Sequence, residues 1–98
     1  MTVFITDSAL LNALHQGDDQ AFEQVYHLYF KPLCYFAEKL TSSNVAAQDV
    51  VADSFVKLLQ RKPHFETLAS LKSFLYTITR NSCFDHLKAE KRHRLSHG

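Results

Sequence analysis

Between Asp18 and Leu40 the apolar residues keep to one side of a helix. Phe22, Val25, Tyr26, Tyr29, Leu33, Phe36, Ala37 and Leu40 are spaced 3, 1, 3, 4, 3, 1 and 3. That rhythm matches the turn of an α-helix and not the alternation of a strand. Asp18 and Asp19 stand at its start, where the positive end of the helix dipole favours carboxylates. Pro32 interrupts the pattern. An interior proline removes one backbone hydrogen bond and kinks the helix. The segment therefore predicts one long helix bent near residues 28–32, with two separate helices as the alternative.

The rest of the chain offers few places to turn. Two glycines and two prolines in 98 residues leave little material for the many tight turns of a sheet. A few long helices joined by short connections fit better. "TDSALLNALHQGD" reads as a first helix, capped by Asp7 or Thr6 and ended at Gly17. "TSSN", Thr41 to Asn44, supplies caps for a third helix, "VAAQDVVADSFVKLLQRK". Its inner stripe is Ala47, Val50, Val51, Ser54 and Leu58, with Phe55 at the margin. Pro63 ends it near Lys62. "RKPHFETLAS" is irregular, and Ser70, or Thr67 before it, caps a last helix from about Leu68 to about Lys91. The expected fold is all-α: one compact four-helix bundle with a kinked long second helix. Hydrophobic residues at 46%, with eight Phe and four Tyr, suffice for its core.

On the last helix, a step of roughly 100° per residue puts Leu71, Leu75, Ile78 and Ser82 within about 60° of one another, as a core stripe. Tyr76, Cys83 and Leu87 form a second apolar stripe, roughly opposite. Along one flank lie Phe74, Asn81, Asp85, Lys88 and Arg92, spaced 7, 4, 3 and 4. An aromatic, an amide, a carboxylate and two cations in line suit nucleic acid. Cations take phosphates, Asn and Asp bond base edges, and an aromatic stacks on an unpaired base. A solvated flank with Phe74 turned inward is the competing reading.

Charge is divided along the chain. Residues 1–55 hold seven acids and two bases, a net of −5; residues 56–98 hold nine bases and three acids, a net of +6. One face for a basic partner and another for a polyanion would produce this division, as would two solvated faces that differ. Asp49 and Asp53 are four apart and share a helix face.

Other chemistries find no support. The sequence has no glycine-rich phosphate loop, nucleophile elbow or HExxH, and it calls for no cofactor. His93 and His97 stand at metal-binding spacing with no acidic or cysteine partner, so no metal site is expected. Cys34 and Cys83 are isolated and set among apolar residues, as buried thiols of a reducing compartment are. A basic leader and a run of about 20 apolar residues are both missing, so membrane insertion is not expected and a cytoplasmic location is.

Two segments carry a family resemblance. "AAQDVVADSFVKLL" follows the pattern A-x-D-apolar-apolar-x-[DEQ]-x-F. "SLKSFLYTITRNSCFDHLKAEKR" follows W-L-[YF]-x-[IL]-[AT]-x-N-x-x-apolar-D-x-x-[RK]. Together with "AFEQVYHLYFKPLCYFAEKL" upstream, they resemble region 2 of bacterial sigma factors of the extracytoplasmic-function group. The likeness covers about residues 18–94 of the single domain. It implies a non-enzymatic initiation factor module. Such a module docks on the clamp helices of the largest RNA polymerase subunit. It also recognises and helps to melt the −10 promoter element, chiefly on the single-stranded non-template strand. Asp49 and Asp53 match the acidic docking positions, with Ala52 between them where Gln or Glu is usual. The base readers would be the loop Lys62 to Ser70 with Phe74, Asn81 and Asp85. Lys72, Arg80, Lys88, Lys91, Arg92 and Arg94 would hold phosphates. The family's usual Trp is Phe74 here, and an Arg position is Thr77. An anti-sigma factor is a further implied partner. Such factors also carry a helix-turn-helix domain, region 4, which is not expected within these 98 residues, as in a fragment ending in the interdomain linker. The rival expectation is a helical protein-interaction module that never touches DNA; a metal-dependent hydrolase fragment is a weaker third.

Overall fold

The computed structural model describes residues 3–97, with side chains to Leu95. It holds four helices in chain order: α1 (Asp7–His15), α2 (Asp19–Thr41), α3 (Asn44–Arg61) and α4 (Leu68–His97). The all-α expectation holds, and α2 is a single helix through Pro32. Pro32 is exposed, so water can serve the Leu28 carbonyl that it leaves without a donor. α2 packs against each of the other three helices, and α3 packs against α4.

Each helix begins at a residue whose oxygen meets free amides of the first turn. Thr6, not Asp7, caps α1 by accepting from the Ala9 amide at 3.1 Å. Asp18 accepts from the Gln20 and Ala21 amides at 2.8 and 3.0 Å. Ser43 accepts from Ala46, and Thr67 rather than Ser70 caps α4 by accepting from the Ser70 amide, both at 3.1 Å. Gly17, at φ 84°, closes α1. The Asp18 amide reaches the Ala13 carbonyl and the Gly17 amide the Leu14 carbonyl, both at 3.0 Å, so α2 starts at once. α2 and α3 end instead on Ser42 and Lys62, non-glycine residues at φ 58° and 45°. With glycine so scarce, the chain accepts about 1 kcal/mol of strain at each of these ends.

The core is aliphatic at its centre. Val25, Leu33, Val51, Leu71 and Leu75 are fully buried, and Ala21, Ala37 and Ala47 between them let the helices approach closely. An aromatic group closes one side. Phe55 of α3 lies 6.0 Å from Phe22 edge-on and 5.1 Å from Tyr26, which stacks on Phe30 at 4.8 Å. The N-terminal segment is pinned to α2 by Gln24, which accepts from the Phe4 amide and donates to the Phe4 carbonyl.

α4 differs from expectation in which residues it buries. Leu71, Leu75, Ile78, Thr79 and Cys83 are buried together. At the helical step they form one continuous arc of about 140°. Tyr76 and Leu87 are only half-buried at its margin, and so is Ser82 despite its central angle. Thr79 belongs inside because its hydroxyl has a partner. It donates to the Ser54 hydroxyl at 2.9 Å, and Ser54 donates to the Val50 carbonyl at 3.0 Å. The helix also runs on beyond the expected Lys91, to His97.

The hydroxyl pair yields a stability prediction. Ser54→Ala leaves the Thr79 hydroxyl buried without its partner and is expected to cost about 1–3 kcal/mol. Ser54→Ala with Thr79→Val removes both groups and should cost less than the sum of the single changes. Urea unfolding of the three variants measures this.

Candidate nucleic-acid and partner interface

The site begins with the loop between α3 and α4. Lys62 to Thr67 would be free to move if nothing anchored it, but two aromatic contacts do. The His64 ring meets His15 of α1 edge-on at 5.0 Å, and Phe65 meets Phe74 of α4 at 5.4 Å and 61°. Phe74 is half-buried under this contact and packs on the core. Its ring supports the loop, so the aromatic of the expected reading line does not stand open beside Asn81.

The polar members of that line are open. Asn81, Asp85, Lys88 and Arg92 are exposed along one flank of α4. Asp85, Lys88, Lys91, Arg92 and Leu95 line one shallow concavity. Arg94 is exposed beyond it. Lys72, Thr77 and Arg80 lie on a neighbouring strip of α4. Thr77 and Arg80 line a second concavity with Phe36 of α2, Ser73 and Tyr76, and the Lys72 ammonium sits 5.9 Å from the Tyr76 ring. The expected DNA-facing residues thus fall into two groups, one on the free end of α4 and one at its seam with α2. Phe84, 44% exposed, is an apolar neighbour of the flank that the spacing of polar residues does not disclose.

On α3 the expected docking residues Asp49, Ala52 and Asp53 are all exposed. They rim something larger. Val45, Val56 and Leu59 are 74%, 46% and 46% exposed. With Ala52 they form an apolar ridge along the helix. The two carboxylates are not equivalent. Asp53 pairs with Lys57 at 3.1 Å, whereas Asp49 has no ion-pair partner among the described residues. The Lys57 ammonium also donates to the Ser82 hydroxyl of α4 at 3.1 Å. A helical wheel of residues 45–59 reveals the ridge. The Lys57 bridge spans two helices and has no local signal.

Among the described residues, three ionisable side chains are shifted, each chiefly by burial. Burial raises the thiols of Cys34 and Cys83, for Cys34 with help from Glu38, so both stay protonated and unreactive near neutral pH. Burial, then the nearby Asp7 and Tyr76, raises the Tyr29 phenol. Among the described residues no group of three or more His, Cys, Asp or Glu could hold a metal ion, and no helix is long and apolar enough to cross a membrane. The His97 side chain lies outside the described residues.

Phe65→Ala should loosen the loop. An aromatic pair contributes about 0.5–1.5 kcal/mol beyond its buried area, so the open population should rise about two- to tenfold. Trypsin cleavage after Arg61 under native conditions reads this out.

Comparison with known proteins identifies the family. The family model of sigma-70 region 2 matches residues 25–93. The chain is 28% identical over 88 residues to the ECF RNA polymerase sigma factor SigM of Mycobacterium tuberculosis, covering 90% of this chain and 45% of that protein. It is 30% identical over 88 residues to the ECF RNA polymerase sigma-E factor of Haemophilus influenzae, covering 90% and 46%. It therefore spans about half the length of the curated relatives it matches. There is no significant match among solved structures. With four helices in a bundle and the family model covering most of them, the chain belongs to the sigma-70 region 2 family.

Proposed function

We propose that this domain is the promoter −10 module of an alternative sigma factor, a non-enzymatic unit acting in the cytoplasm with RNA polymerase. The observation that carries the reading is the pairing of two unlike faces on adjacent helices. α3 offers an apolar ridge rimmed by Asp49, and α4 offers a polar line ending in cations. The names of the relatives agree with a role beside RNA polymerase.

In this reading α3 docks on the clamp helices of the polymerase core. The ridge provides buried apolar area, and Asp49 steers and orients the encounter. Asp53, already paired with Lys57, contributes less to docking and more to holding α3 against α4. An anti-sigma factor would compete by covering the same ridge. On the other face Asn81 and Asp85 bond the edges of unpaired −10 bases of the non-template strand. Lys88, Lys91, Arg92 and Arg94 neutralise phosphates, which makes binding salt-dependent. Capture of an unstacked base offsets the few kcal/mol that unstacking costs and so favours the melted duplex. The loop anchored by Phe65 forms the other wall of this site.

The test is made on the domain assembled with polymerase core. Asn81→Ala should relax preference for a −10 non-template oligonucleotide over a scrambled one by about tenfold, the worth of a good base contact. Unchanged preference removes Asn81 from the readers. Asp49→Lys should weaken core binding, chiefly in the association rate, while Asp53→Asn should do so less. If core binding survives and no oligonucleotide is ever preferred, the chain is an interaction module without a DNA role.

A further inference from the structure

The α2–α4 seam has a composition that base reading on the α4 flank does not need. Phe36 of α2 meets Tyr76 of α4 at 5.0 Å and 62°, and Lys72 stands 5.9 Å from the Tyr76 ring. Arg80 is exposed at the rim of the concavity that these rings line. Farther around α2, Tyr35 is 65% exposed, and the Lys39 ammonium lies 4.6 Å from its ring centre. At the helical step Lys39 falls between Phe36 and Tyr35 on the surface of α2, about 60° from one and about 40° from the other. Aromatic and cationic side chains are thus interspersed across the seam: Arg80, Tyr76 and Lys72 on α4, with Phe36, Lys39 and Tyr35 on α2.

Core packing does not require this arrangement. A tyrosine 65% exposed buries little. Interspersed rings and cations are what a single strand of nucleic acid uses: every base has a face that stacks, and each phosphate needs a positive charge. A duplex offers no free base face, so the seam selects unpaired strand. It also continues from the strip that already holds Lys72, Thr77 and Arg80.

We infer that the α2–α4 seam is a second, sequence-independent track for single-stranded DNA, on which one base stacks at Tyr76–Phe36 and another on Tyr35. This rests on the reading of the α4 flank as a single-strand surface. The track would hold the strand that leaves the flank, lengthening the site by a few nucleotides without adding to its specificity. Glu38 shares a groove with Tyr35 and Lys39 and is the carboxylate that opposes it.

The experiment compares a −10 non-template hexamer with the same hexamer extended by six thymidines, by anisotropy with the 98-residue chain. The extension should tighten binding to the wild type by about fivefold or more. Tyr35→Ala and Lys39→Gln, both at exposed positions, should abolish most of this gain and leave the hexamer unaffected. Glu38→Gln should enlarge it. The chain has no tryptophan, so quenching of tyrosine emission by the stacked bases is a second readout, reduced in Tyr35→Ala to the part that Tyr76 contributes. If the hexamer binds with preference but the extension adds nothing, or adds as much in Tyr35→Ala, the track does not exist and the −10 reading stands. If the hexamer does not bind the chain alone, the comparison is made on the chain assembled with polymerase core, and failure to bind there overturns both.

Discussion

The hydrogen bond from Thr79 to Ser54 sets how α4 is rotated against α3. Hydrophobic contact is non-directional, and a helix that buries a wide arc of leucines can roll by a fraction of a residue at little cost. A buried hydroxyl that must find an acceptor cannot. With Ser54 tied to its own helix through the Val50 carbonyl, Thr79 has one partner and α4 one setting. That setting turns Asn81 and Asp85 outward on one side and brings Tyr76 against Phe36 on the other. Near the surface Lys57 repeats the constraint, held between Asp53 and Ser82. The exposed pair itself adds at most about 1 kcal/mol. Its contribution is geometric.

A bundle 21 by 20 Å in cross-section is filled by its own core, so function falls to helix faces. α3 turns seven residues inward and keeps the opposite side apolar, an arrangement that is unfavourable unless something covers it. α4 divides its circumference three ways: the core arc, the polar flank and the strip that meets α2. Because both helices are built on the same core residues, the two outer surfaces are held at fixed relative positions.

Most of the fold is legible in the sequence, because helices declare themselves locally. Apolar spacing marks α2, and short oxygen-bearing residues mark every helix start. What the sequence hides is of non-local origin. Thr79 reads as polar because its acceptor lies on another helix. Ser82 reads as core by its angle, yet it stays near the surface and receives Lys57. Phe74 reads either as an available aromatic or as one turned inward, and only the fold brings Phe65 against it. At the candidate site the polar line on α4 follows from angle alone. The ridge of Val45, Ala52, Val56 and Leu59 lies opposite the inner stripe on a helical wheel, and the fold shows it exposed.

The free end of α4 has one more consequence. A helix of 30 residues is about 45 Å long. That is most of the 53 Å long axis of the molecule. Residues 88–95 are all exposed. Their helical state is thus a balance of intrinsic propensity and charge, with little packing to hold it. Lys88 and Arg92 repel one turn apart, and so do Lys91 and Arg94, while the negative end of the helix dipole attracts all of them. A bound anion would cancel the repulsion, and the end would gain helix as it gains ligand. In the proposed reading, the wound fraction of these turns would then follow occupancy of the phosphate-binding end.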